Sequence, residues 1–193
     1  MKNLLGVVMC GGESRRMGTD KGLIKVNEIT WAERIAAKFL SLNIPVLLSI
    51  NSQQYEPYGR LFTHEQLIVD DVEIGGPLKG LLSVHQKFPG NDILLMACDM
   101  IDMEETTIQH LVEVYEKEKG YDFYVYYGRF AEPFCAIYTA QGLKPVMKKA
   151  RLHELEEVSF QSIISHAKTF RIQIRDNSSF GNYNIMPGHH QHP

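Results

Sequence analysis

Residues 4–21 read LLGVVMCGGESRRMGTDK, an apolar run followed directly by a loop of glycine, hydroxyl and basic residues. The apolar run, residues 4–9, predicts a buried strand. Gly11 and Gly12 have no side chains, so the backbone can approach a ligand and direct its N–H groups toward it. The same loop carries the hydroxyl of Ser14 and three basic side chains, those of Arg15, Arg16 and Lys21. Arginine pairs with phosphate oxygens through its planar fork and lysine acts as a point charge, so this stretch predicts a polyphosphate site. The alternative is a solvated basic turn, because glycine-rich loops are common.

Two familiar phosphate-binding motifs are absent. The chain contains neither G-x-x-x-x-G-K-[ST] nor G-x-G-x-x-G, which excludes a Walker loop and the dinucleotide fingerprint. A formal net charge of −3 over 193 residues argues against a nucleic-acid surface. The sequence shows no apolar run long enough to span a membrane. Three cysteines without metal spacing, and no signal peptide, favour a cytoplasmic protein.

Alternating strand and helix patterns predict an α/β fold. Apolar runs at 46–50, 67–69 and 93–97 read as further strands, and Thr30 with Glu33 forms a capping-box signature for a helix over 31–42. Short connections imply parallel strands with right-handed crossovers. The later β-rich runs are expected to be antiparallel and to follow a helix that is capped by Asp102 and Glu105. The β-rich runs lie at 122–127 and 134–138. The last helices are expected at 140–149 and 160–166, and the last strand at 170–174. The turn between the two β-rich runs is expected to carry Glu132 and Pro133.

Asp99 follows the 93–97 strand, and parallel strands bring their carboxyl ends to one edge, where ligands bind in open α/β sheets. We therefore predict that Asp99 holds Mg²⁺, which prefers one or two carboxylates together with phosphate oxygens and water. A helix cap is the alternative role for Asp99, although Asp102 fits it better. The residues expected to hold the β and γ phosphates are Gly11, Gly12, Ser14, Arg16 and Lys21.

No nucleophile–base constellation is evident in the sequence. If the acceptor is a phosphate monoester, it is already ionised at neutral pH, since its second pKa is about 6, and it needs no general base. Transfer to it depends on positioning and charge neutralisation, for which Arg16, Lys21 and Asp99 are the candidate catalytic residues. If the nucleotide is GTP, guanine's adjacent N–H donors could be accepted by the carboxylate of Asp71 or Asp70 and by backbone carbonyls near Gly76, which makes Gly76 a candidate nucleotide contact. Cytosine would present a different edge.

Five segments together resemble the molybdenum cofactor nucleotidyltransferases, and within them the guanylyltransferases. They are G-G-x-S-x-R-M-G-x-D-K at 11–21, G-P-L-x-G at 76–80, C-D-M at 98–100, E-P-x-x-A-x-Y at 132–138 and F-x-N-x-N at 180–184. The resemblance implies a three-layer, Rossmann-like nucleotidyltransferase fold, with a mostly parallel sheet and an antiparallel part in the second half. It implies one domain over 1–193: a GTP and Mg²⁺ half to about 100, a molybdopterin half over about 101–187, and a tail over 188–193.

The resemblance also implies an activity, namely transfer of GMP from GTP to the phosphate of molybdopterin with release of pyrophosphate. It points to Met9, Cys10 and Ser49 or Asn51 as further nucleotide contacts. The pterin would be held by Glu132, Pro133, Asn182 and Asn184. Other cofactor-biosynthesis proteins and molybdoenzyme apoproteins are expected partners.

Three functions compete on the basis of these residues. One is the guanylyltransferase. Another is a related enzyme that uses CTP or activates a sugar or alditol phosphate. The third is a non-catalytic cofactor carrier or regulatory protein that keeps the fold. Lys21 and Asp99 argue against the carrier, while M-G-x-D-K and F-x-N-x-N favour the guanylyltransferase.

Overall fold

A computed structural model describes residues 3–11, 20–174 and 180. Within them the chain forms nine strands and six α-helices, which follow one another in sequence order. They are β1 Leu4–Met9, β2 Lys25–Val26, β3 Ile29–Thr30, α1 Trp31–Ser41, β4 Val46–Ile50, α2 Tyr55–Tyr58, β5 Leu67–Val69, α3 Leu78–Lys87, β6 Asp92–Ala97, α4 Glu105–Lys117, β7 Phe123–Tyr127, β8 Ala131–Tyr138, α5 Ala140–Arg151, α6 Phe160–Ser165 and β9 Thr169–Gln173.

The main sheet has seven strands in the order β5-β4-β1-β6-β8-β7-β9. β4, β1 and β6 are parallel neighbours, and β5 is parallel to β4. β8 runs antiparallel to both β6 and β7, and β9 is parallel to β7. The expected mostly parallel sheet with an antiparallel part in the second half is therefore confirmed.

Helices cover both faces of this sheet, because its central strands are apolar on both sides. Along β1, Val8 packs toward α1 and α4, whereas Val7 and Met9 pack toward α3, α5 and α6. A strand alternates its side chains between the two faces, so a fully apolar strand needs a helical layer on each. The result is the three-layer arrangement that the resemblance implied.

Local signals set several helix starts. Thr30 accepts a hydrogen bond from the Glu33 backbone N–H, and Glu33 accepts from the Thr30 N–H, which completes the expected capping box of α1. The cap expected for α4 is wrong: Glu104, not Asp102, precedes its first turn, and it makes no side-chain capping bond. Among the described residues, no helix is long and apolar enough to cross a lipid bilayer.

Candidate active site

The carboxyl ends of β1, β4, β5 and β6 form one edge of the sheet, and most of the described candidate residues lie along it. Gly11 follows β1, Asn51 follows β4, Asp70 follows β5 and Asp99 follows β6. Since β8 runs antiparallel to β6, its first residues lie at the same edge. Of the predicted site residues, Gly12, Ser14, Arg16, Asn182 and Asn184 fall outside the described part of the chain.

Lys21 and Asp99 form an ion pair at this edge. The Nζ atom of Lys21 lies 2.8 Å from Oδ2 of Asp99, and their side chains are 20% and 15% exposed. The two residues are far apart in sequence, and the fold brings them together where β6 ends. A lysine and a carboxylate held side by side suit a ligand that carries both phosphate and a divalent cation.

Asp20 fixes the position of Lys21, a role that the sequence did not reveal. Its Oδ1 accepts hydrogen bonds from the Gly22 N–H at 3.0 Å and the Tyr58 hydroxyl at 3.0 Å. Its Oδ2 accepts from Nε2 of Gln54 at 2.6 Å, and the same nitrogen lies 2.9 Å from the Cys10 carbonyl oxygen. This network ties the segment that begins at Asp20 to the end of β1.

Gly11 contributes space at this edge. Its N–H donates to the Ser49 carbonyl at 2.9 Å, as does the N–H of Cys10, so the Gly11 amide is engaged in the protein. A Cβ atom at position 11 would collide with the carboxylate of Asp70. The glycine therefore allows the two strand ends to approach closely, and its contact with nucleotide stays a prediction.

Asp70 and Asp71, the two carboxylates predicted to contact the guanine base, lie in different environments. Asp70 is half-buried, and its Oδ1 accepts a hydrogen bond from the Ser49 hydroxyl at 2.7 Å. Burial raises the pKa of Asp70 to about 6, against the lowering effects of the Ser49 hydrogen bond and the Lys79 charge. Asp71 is exposed, and its backbone N–H donates to the Ser83 hydroxyl at 3.0 Å. A buried carboxylate with a raised pKa is a typical feature of functional sites.

The second glycine of the G-P-L-x-G segment, Gly80, leaves space for the Ser49 hydroxyl that donates to the Asp70 carboxylate. A Cβ atom at Gly80 would collide with the Ser49 hydroxyl and lie 3.1 Å from Cε of Met9. The first residue of the segment, Gly76, is exposed and has a φ of +69°, a conformation that side chains other than glycine rarely adopt. Both glycines are therefore explained by backbone geometry or close packing.

Three more predicted nucleotide contacts have structural roles. Met9 and Cys10 are buried, and burial, followed by Cys98, raises the pKa of the Cys10 thiol. Asn51 caps a short 3-10 helix, because its Oδ1 accepts from the N–H groups of Gln53 and Gln54. These roles do not test nucleotide contact, which stays a prediction for all three.

The placement of Glu132 and Pro133 in a turn is wrong. Both lie within β8, where the pairing with β7 jumps from Val125↔Ala136 to Tyr126↔Glu132. Proline cannot donate to a strand ladder and is tolerated at such an irregularity. Glu132 is half-buried, and burial raises its pKa.

Phe180, the first residue of the F-x-N-x-N segment, lies against the same part of the sheet. Its ring centroid is 5.1 Å from that of Tyr126 on β7. The hydroxyl of Tyr126 donates to the Thr107 carbonyl at 2.9 Å and lies 2.9 Å from Nδ1 of His110. This aromatic contact places Phe180 near the start of β8.

The model of the MobA-like NTP transferase domain matches residues 6–168. The chain belongs to this family. The match begins within β1, extends through α6 and includes the described edge with Lys21, Asp70 and Asp99.

Individual relatives agree with the MobA-like assignment. A "probable molybdenum cofactor guanylyltransferase" of Pelotomaculum thermopropionicum is 25% identical over 165 residues, covering 85% of this chain and 77% of the relative. A "molybdenum cofactor biosynthesis bifunctional protein" of Synechocystis sp. is 30% identical over 142 residues, and the match covers 73% of this chain but 40% of that protein. The crystal structure of "molybdopterin-guanine dinucleotide biosynthesis protein A" from Archaeoglobus fulgidus superposes with a TM-score of 0.75 at 19% identity, covering 93% and 91% of the two chains. This last likeness shows the shared fold.

Proposed function

We propose that this MobA-like nucleotidyltransferase transfers GMP from GTP to the phosphate of molybdopterin and releases pyrophosphate. The observation that carries the proposal is the Lys21–Asp99 pair at the carboxyl edge of the sheet, 2.8 Å between Nζ and Oδ2. The relatives named as guanylyltransferases and the F-x-N-x-N segment support guanine and molybdopterin as the substrates.

In the proposed reaction an oxygen of the acceptor phosphate attacks the α-phosphorus of GTP. A new P–O–P bond forms as the bond between the α-phosphorus and the oxygen bridging to the β-phosphate breaks, and pyrophosphate leaves with that electron pair. The acceptor is already ionised near neutral pH, so no side chain has to remove a proton. The protein supplies positioning and charge neutralisation.

Lys21 neutralises the outer phosphates in this proposal, and the Asp20 network keeps it at the edge. Asp99 would hold Mg²⁺, which supplies further neutralisation of the phosphate charge when bound. Within the described part of the chain no three His, Cys, Asp or Glu side chains form a metal cluster. One carboxylate completed by phosphate oxygens and water fits the coordination habits of Mg²⁺.

For base recognition, burial favours Asp70 over Asp71. Asp70 is held by Ser49 beside Gly11, whereas Asp71 is exposed. A fixed carboxylate can accept from guanine's adjacent donors, and adenine would leave it unpaired at a cost of about 1–3 kcal/mol.

The proposal is tested by measuring pyrophosphate release with each of GTP, CTP and ATP. We expect release that requires both Mg²⁺ and molybdopterin and is fastest with GTP. Release that is driven by a sugar phosphate instead of molybdopterin would replace the proposed acceptor, and absence of release with every acceptor would favour the carrier function.

A further inference from the structure

The hairpin that joins β7 to β8 lies at the edge of the sheet that carries Asp99. Tyr127 pairs with Ala131, and the Gly128 N–H donates to the Phe130 carbonyl at 3.1 Å, which closes the turn. β8 is the antiparallel neighbour of β6, so this turn lies on the side of the sheet where β6 ends. Adjacent strands are about 4.8 Å apart. The turn therefore lies at the same end of the sheet as Asp99, on the two strands that follow β6 in the strand order.

Phe130 at this turn is unusually exposed. Its relative exposure of 62% is the largest among the exposed large apolar side chains of the described residues. The ring of Phe130 is available for stacking, because an exposed aromatic face can pack against a planar heterocyclic ligand. Phe130 lies outside the five segments that carry the family resemblance.

Two arginine side chains pack against aromatic rings of the same hairpin. The guanidinium carbon of Arg129 lies 5.4 Å from the ring centroid of Phe130, and that of Arg171 lies 4.8 Å from the ring centroid of Tyr127. Both arginines are exposed. Arg171 pairs with Val125 in the sheet, so its guanidinium reaches along β7 toward the turn. Stacked guanidinium groups can still pair with phosphate oxygens through their N–H edges.

We propose that Phe130 is a stacking platform for the heteroaromatic ring of the phosphate-bearing acceptor, with Arg129 and Arg171 beside it as phosphate partners. The chemistry of the hairpin matches that of a planar, anionic ligand, and the neighbouring part of the edge, with Lys21 and Asp99, is assigned to the triphosphate. This inference rests on the proposed function for the identity of the acceptor.

The test compares Phe130→Ala and Phe130→Tyr with the wild type in steady-state assays that vary GTP and molybdopterin separately. Base–aromatic stacking predicts that Phe130→Ala raises KM for molybdopterin about tenfold, with KM for GTP and kcat at saturating acceptor unchanged. Phe130→Tyr, which keeps the ring, should behave as wild type. Leu40→Ala is the matched control, because Leu40 is 57% exposed near the end of α1. KM values for molybdopterin that are equal in Phe130→Ala and wild type would overturn the proposal, as would equal losses for both substrates.

A binding measurement separates this inference from the proposed function. The fluorescence of a free phosphorylated pterin is titrated with wild-type protein and with Phe130→Ala. Quenching that requires the Phe130 ring supports the platform even if no turnover with molybdopterin occurs, in which case only the proposed reaction fails. Quenching that is identical in the two proteins, alongside normal turnover, removes Phe130 from acceptor binding.

Discussion

Replacing Asp70 with asparagine is expected to stabilise the fold at neutral pH while it weakens the site. The Asp70 carboxylate is half-buried, and burial is the largest cause of its raised pKa. Asparagine has nearly the same shape, and its Oδ1 can still accept the hydrogen bond from Ser49 that is 2.7 Å long in the structure. The substitution therefore removes a half-buried charge that opposes folding and keeps the hydrogen bond from Ser49.

The size of the expected stabilisation follows from the pKa of Asp70, which rises from 3.8 to about 6 on folding. Because the folded pKa is the higher one, protonation of Asp70 favours folding, and this contribution is lost as the pH rises from about 3.8 through about 6. At about 1.4 kcal/mol per pKa unit, ionisation of Asp70 costs about 3 kcal/mol at pH 7 and about 0.6 kcal/mol at pH 4. Asp70→Asn should recover these amounts.

The assay is urea denaturation of wild type and Asp70→Asn at intervals between pH 4 and pH 7.5. The difference in the free energy of unfolding should grow with pH and level off above about pH 6.5. Asp71→Asn is the matched control, because Asp71 is exposed and should change the free energy little at any pH. A difference for Asp70→Asn that does not vary with pH, or that is destabilising throughout, would show that burial of this charge does not oppose folding.

The same variant should lose function, since an unfavourable buried charge is expected to persist where a ligand needs it. Asp70→Asn should discriminate less well between GTP and ATP than wild type in competition assays. Loss of discrimination in Asp71→Asn instead would move base recognition to Asp71.

Further variants test the phosphate and packing arguments. Asp99→Asn should reduce turnover by about a hundredfold or more with little change in melting temperature, because charge stabilisation is usually the largest catalytic contribution; turnover at the wild-type rate would remove Asp99 from the reaction. Lys21→Ala should weaken GTP binding more than GMP binding, measured by calorimetry, and an equal loss for both would move Lys21 away from the outer phosphates. Gly80→Ala should destabilise the protein by about 1–3 kcal/mol, because the added methyl group meets Ser49. The control Gly75→Ala meets nothing within 4 Å and should be neutral in the same urea titration.

The fold was predictable where the signal is local. The apolar runs that became β1, β4, β5 and β6 are each followed by polar or glycine residues, and their parallel order follows from the helices between them. The capping box of α1 likewise depends on two residues only three positions apart, Thr30 and Glu33. Such features need no knowledge of distant contacts.

The errors and omissions come from contacts between distant parts of the chain. Asp20 is bound by Gln54 and Tyr58, which are 34 and 38 positions away, so its anchoring role was not visible in the motif. Glu132 and Pro133 lie between two β-rich runs of the sequence, a position that predicts a turn, yet the irregular pairing with β7 accommodates both within β8. The sequence could not distinguish Asp70 from Asp71 either, because their burial depends on how β5 lies beside Gly11 and Ser49.

The most direct test of the proposed function is mass spectrometry of the product formed from molybdopterin, Mg²⁺ and an equimolar mixture of GTP, CTP and ATP. We expect wild-type protein to join GMP to molybdopterin in preference to the other nucleotides, and Asp99→Asn to form almost no product. A product that carries mainly CMP would contradict the assignment of guanine and identify a cytidylyltransferase. Unmodified molybdopterin with every nucleotide would contradict the proposed reaction itself.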